Sequence, residues 1–72
     1  MTNHPAITII LNGSSYALPA AMSLVQLLDH LGFSNKPVVV ELDEQAVFPR
    51  DYSKLAVRDG SRVELVTLAA GG

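Results

Sequence analysis

The residues placed for chemistry are Gly71-Gly72, the last two of the sequence. They follow Ala69-Ala70 and the run Arg62-Val63-Glu64-Leu65-Val66-Thr67-Leu68, which reads as a strand. A terminal glycine presents a carboxylate with no side chain beside it. Gly71 lets the backbone enter conformations and narrow channels closed to other residues. With Gly at about 7% of positions, a terminal pair arises by chance roughly once in 200 chains. Such an ending reads as an arm holding out a carboxyl group. It reads equally as an ordinary frayed terminus, and the rest of the chain has to decide.

Other chemistry is thinly represented. There is no cysteine, hence no disulfide, thiolate or Cys-based zinc site. The two histidines are His4, in a loose start, and His30, in the last turn of a helix; neither is placed as a base for a nucleophile. The patterns H-E-x-x-H, G-x-x-x-x-G-K-[ST] and G-x-G-x-x-G do not occur. Asp43, Glu44, Asp51 and Asp59 are spread over turns and read as solvated, so no metal site is expected. Five basic and seven acidic residues give a net charge of −2 without a basic cluster, which argues against nucleic acid as a partner. No apolar run approaches about 18 residues, so no membrane span is expected. Met1–Pro5 lacks the marks of a secretory leader. Together with the absence of cysteine, this places the expected setting in the cytoplasm.

The elements that must hold the tail can be read from periodicity. Ala6–Leu11 is β-branched and apolar, with Ile7, Ile9 and Leu11 on one face and Thr8 and Ile10 on the other. Asn12-Gly13 predicts a hairpin turn into Ser14–Leu18, stopped by Pro19. Leu24, Leu27, Leu28 and Leu31 form one helical stripe, opened near Ser23 and ended at Gly32. Val38–Leu42 is a strand with Val38, Val40 and Leu42 inward and Val39 and Glu41 outward. Asp43-Glu44 turns into a short edge strand ended by Pro49. One helical turn is expected over 50–54, with Leu55 and Val57 packed beneath it. Arg58–Ser61 is a turn into the last strand, where Val63 and Leu65 face in and Arg62, Glu64, Val66 and Leu68 face out.

This order predicts an α+β fold of the β-grasp (ubiquitin-like) type. A mixed sheet of four to five strands curls around one helix, with the first and last strands parallel and central. A ferredoxin-like fold would need a second full helix, for which no periodic segment is present. The 72 residues are read as one domain, with a loose start over 1–5 and a mobile tail over 69–72. The helix covers one sheet face. Ile10, Val39, Val66 and Leu68 would gather on the other, with Arg62 and Glu64 at its rim, as a docking patch for partners.

Several of these residues together resemble a known family. Asn12-Gly13, the Leu24/Leu27/Leu28/Leu31 helix, Val38–Leu42, Val47-Phe48-Pro49-Arg50 followed by Tyr52, Asp59-Gly60 before Val63-Glu64-Leu65-Val66, and Gly71-Gly72 stand in the order seen in ThiS, the sulfur carriers of thiamine biosynthesis. The chain departs from the family pattern at Tyr52, where Trp is usual, and at Asp43, Ser61 and Ala69-Ala70. The small subunit of molybdopterin synthase is similar in fold and ending, but typically longer, with a Pro-rich approach to the glycines. The resemblance implies that the chain is a consumed and recharged co-substrate, not an enzyme, and binds no cofactor itself. A ubiquitin-activating-like (ThiF-type) adenylyltransferase would adenylate Gly72 with ATP and Mg²⁺, Gly71 giving access. A persulfide donor would supply sulfur to form a thiocarboxylate, and a thiazole synthase (ThiG-type) would draw it into the thiazole ring. The free carrier is expected to be a monomer. A carrier for molybdopterin or another sulfur metabolite, and a ubiquitin-like modifier or interaction module, stay open as alternatives.

Overall fold

The architecture comes from a computed structural model that describes residues 5–68. Strands β1 (Ile7–Leu11) and β2 (Ser14–Leu18) form the first hairpin. Asn12 and Gly13 turn it with φ of 49° and 84°, the left-handed pair whose twist matches that of the flanking strands. Strand β3 (Met22–Ser23) leads into helix α1 (Leu24–His30). Strands β4 (Val38–Leu42) and β5 (Gln45–Val47) make the second hairpin, followed by a 3₁₀ turn over Pro49–Asp51. Strands β6 (Ala56–Val57) and β7 (Arg62–Thr67) complete the described chain.

Five strands form one mixed sheet in the order β2-β1-β7-β4-β5. Strand β7 lies in the middle, parallel to β1 and antiparallel to β4. This is the expected β-grasp arrangement. Helix α1 crosses one face and buries Leu24, Leu27 and Leu28 against Ile9, Leu18, Val40 and Val63. Its ends are well defined. Ser23 Oγ accepts the Gln26 N–H at 3.1 Å while Gln26 Oε1 accepts the Ser23 N–H at 2.9 Å. This reciprocal pair satisfies two otherwise orphaned donors. At the other end Gly32, at φ 84°, donates to the Asp29 carbonyl, and Phe33 donates to that of Leu28. This is the glycine-closed ending that the sequence predicts.

Two features depart from the expected layout. Met22-Ser23 pairs with Ala56-Val57 as a separate two-stranded sheet, where the sequence suggested only a helix start. Leu55, expected in the core, is 38% exposed, while Val57 is fully buried. Leu55 serves instead through its backbone, its carbonyl accepting the Leu24 N–H at 3.0 Å.

The turns are stitched to the sheet by side chains that read as solvated. Asp59 Oδ1 accepts the Thr8 N–H at 2.8 Å, and Asp43 Oδ1 accepts the Arg62 N–H at 2.9 Å. Asn12 does most. Its N–H donates to the Val63 carbonyl at 2.9 Å, and its Oδ1 accepts the Leu65 N–H at 2.7 Å. The hairpin turn thereby extends the parallel β1–β7 ladder past the end of β1.

Candidate carrier face and chain exit

Strand β7 both fills the core and faces outward. Val63 and Leu65 point to the helix and are buried; Arg62, Glu64 and Val66 point to the uncovered face. Register then decides their neighbours. Val66 stands opposite Val39 of β4, and Glu64 stands opposite Glu41. Val39, Glu41, Glu44, Arg62, Glu64 and Val66 line a shallow depression of about 380 Å³. Val39 is 45% exposed, Val66 57% and Leu68 52%, a high exposure for apolar side chains in and beside the middle of a sheet. Leu68 continues the outward series just beyond β7. Ile10 lies opposite Arg62 on β1 but is only half-exposed and does not line the depression. The sheet thus brings together four of the six residues expected on this face, with Ile10 and Leu68 flanking them.

Glu44 was not expected at this site, and Glu41, expected to point outward beside Val39, was not assigned to the patch. Glu41 joins it because β4 pairs with β7, and Glu44 lines the same depression from the Asp43-Glu44 turn that follows β4. Both turn residues have positive φ, 49° and 71°. The Glu41–Glu64 pair sets like charges directly across two strands, an arrangement that costs stability on its own. No local sequence pattern reports such a pair, since β5, the 3₁₀ turn and β6 all lie between its partners.

The chain leaves the sheet beside β4. The Leu68 N–H donates to the Pro37 carbonyl at 3.0 Å, which ties the last described residue to the residue just before β4. Ala69, Ala70 and the pair singled out for chemistry, Gly71-Gly72, lie outside the described residues, as does His4. On the helix side a second hollow of about 310 Å³ is walled mainly by apolar groups, among them Leu28, Phe33, Pro37 and Tyr52, with Lys36 at its edge. Burial pushes the Tyr52 phenol above its ordinary pKa. Among the described residues no three His, Cys, Asp or Glu side chains gather into a metal-binding group, and no helix is long and apolar enough to cross a membrane.

The sequence model of the ThiS family matches residues 9–72, from the first strand through the final glycines. The chain belongs to the ThiS family. Its fold agrees with that of the ThiS thiamine biosynthesis protein from Geobacter metallireducens, with a TM-score of 0.79 and 23% identity over 92% of this chain and all of that one. A thiazole synthase of Paramagnetospirillum magneticum is 33% identical over 64 residues, which are 89% of this chain. That match spans only 20% of the thiazole synthase's own length. The protein ycf40 of Porphyra purpurea, described as uncharacterized, is 27% identical over 92% of this chain and 93% of its own length. ThiS-family proteins are small sulfur carriers of thiamine biosynthesis.

Proposed function

We propose that this chain carries sulfur as a thiocarboxylate on Gly72 and delivers it to thiazole formation in thiamine biosynthesis. The observation that supports it most is the extent of the family match, which runs through Gly71-Gly72. In the first step an oxygen of the Gly72 carboxylate attacks the α-phosphorus of ATP, held with Mg²⁺ by a ThiF-type adenylyltransferase, and pyrophosphate leaves. The poor electrophile becomes an acyl-adenylate with a good leaving group. The terminal sulfur of a persulfide donor then attacks the acyl carbon, and AMP departs. A further thiol cleaves the resulting acyl disulfide and leaves the thiocarboxylate. No internal thiol competes for the activated end, because the chain contains no cysteine. The carrier is consumed and recharged rather than catalytic, and it works in the cytoplasm.

The open face supplies recognition in this scheme. Val39, Val66 and Leu68 give an apolar centre, Arg62 and Glu64 a polar rim, and Ile10 the flank toward β1. The activating enzyme and the synthase dock there in turn. The domain-sized likeness within a thiazole synthase supports a ThiG-type enzyme as the second partner. The deciding measurement is intact mass of the protein from its native source. It should reveal one oxygen replaced by sulfur at Gly72, lost when the activating enzyme is deleted. Lysine-linked adducts in place of the thiocarboxylate would turn the reading toward a protein modifier. Gly71→Val should fold yet be adenylated slowly, since a β-branched side chain crowds the approach. Full activity in that variant would remove Gly71 from the site.

A further inference from the structure

The charged residues of this chain are unevenly placed. None of its five basic and seven acidic side chains precedes Asp29. The β1–β2 hairpin is therefore uncharged throughout, and β2 is an edge of the five-stranded sheet. The two edges differ in protection. Strand β5 has three residues, follows Asp43-Glu44, and is closed by Pro49 and Arg50. Short length, charge and proline are the usual guards against further strand pairing. Strand β2 has five residues, Ser14–Leu18, paired to β1 in continuous register without a bulge and with no charge in or beside it; Pro19 ends it, as Pro49 ends β5, so length and charge set the two edges apart.

Hairpin geometry fixes which backbone groups of β2 have no partner among the described residues. In a two-residue hairpin the residues flanking the turn exchange both hydrogen bonds, and bonded pairs then alternate along the ladder. Leu11–Ser14, Ile9–Tyr16 and Ile7–Leu18 are the bonded pairs. The N–H and C=O of Ser15 and Ala17 therefore point away from the sheet. Their side chains are small and exposed, while Tyr16 is half-buried toward the helix side.

We infer that, in place of the monomer expected of the free chain, the β2 edge pairs with β2 of a second copy at high concentration, antiparallel about a two-fold axis at Tyr16. Ser15 of each copy then faces Ala17 of the other, and four N–H···O=C bonds join two five-stranded sheets into one. The edge suits its own sequence: small side chains meet small ones, two tyrosines lie side by side, and no like charges oppose. Strands β7 and β4 lie beyond β1, so the open face of each copy stays free. The inference stands on the edge alone and is independent of the sulfur-carrier reading. A single short strand pair buries less than a standard interface of about 1,600 Å², so the dimer is weak and transient.

Sedimentation and amide chemical shifts of the full chain, followed from micromolar to millimolar concentration, test it. The sedimentation coefficient should rise with concentration. The Ser15 and Ala17 amides should shift most, and those of Tyr16 and Leu18 less. Ala17→Pro deletes an outward N–H without touching the hairpin ladder, so it should abolish association while the melting temperature holds. Should that proline disturb the strand, Ser15→Lys serves instead, since lysine guards an edge. Mixing the Ser15→Lys and Ala17→Glu proteins should recover association, because the two positions face each other. A monomer at every concentration overturns the inference. So does association that survives Ser15→Lys. So do Ser15 and Ala17 shifts that appear only when the activating enzyme is added, which would assign the edge to a foreign strand.

Discussion

Val63 and Val66 are the same residue type on the same strand, three positions apart. One is fully buried beneath helix α1; the other is more than half exposed on the opposite face. The difference shows that β7 answers to two constraints at once. Its inward residues hold the sheet to the helix. Its outward Val66 meets only Val39 across the strands and stays mostly exposed, so a fold selected for stability alone gains little from it. The presence of Val66 beside the chain exit is intelligible as recognition.

The comparison can be broken most strongly from the inside. Val63→Asp buries a carboxylate with no counter-charge, at a cost of several kcal/mol against a total of about 5–15 kcal/mol for a small domain. The variant should lack dispersed amide resonances at room temperature; a folded spectrum would put Val63 outside the core. Next in size is Asn12→Ala. It leaves the Leu65 N–H unpaired and places alanine at positive φ, for a loss of about 1–3 kcal/mol by urea unfolding. A loss no greater than that of a surface substitution would mean that water replaces the Asn12 side chain without penalty. Glu41→Lys should move the other way, gaining about 0.2–1 kcal/mol by turning a like-charge cross-strand pair into an attractive one. The gain should shrink in high salt; an unchanged midpoint at low salt would show that Glu41 and Glu64 avoid each other in solution. Smallest in stability is Val66→Asp, within about 0.5 kcal/mol of the parent. Its effect should fall on recognition, raising KM for adenylation about ten-fold or more while kcat changes little. Normal adenylation kinetics would move the docking face elsewhere.

Much of this was legible locally. Asn12-Gly13 named its turn because few residue pairs accept two positive φ values in succession. The Leu24/Leu27/Leu28 stripe named the helix, and the alternation of Val63, Leu65 and Val66 named both faces of β7. What escaped depends on contacts between distant segments. Met22-Ser23 and Ala56-Val57 are too short to show any period, and only the fold brings them together. Leu55 reads as core by composition, yet the small β3–β6 sheet uses its carbonyl and leaves its side chain outside. Asp43 and Asp59 look like ordinary turn acids until the opposing N–H groups of Arg62 and Thr8 are located. The Glu41–Glu64 pairing escaped for the same reason: cross-strand neighbours follow from register, which no single segment encodes.

The position of β7 also has a mechanical consequence. An enzyme that draws the chain past Leu68 pulls β7 along its own length. The hydrogen bonds tying β7 to β1 on one side and β4 on the other run across that direction. They are loaded in shear and share the force, whereas a strand hinged at a sheet edge would peel away one bond at a time. Tension on the outgoing chain is therefore spread over two neighbouring strands before it can strip any one of them.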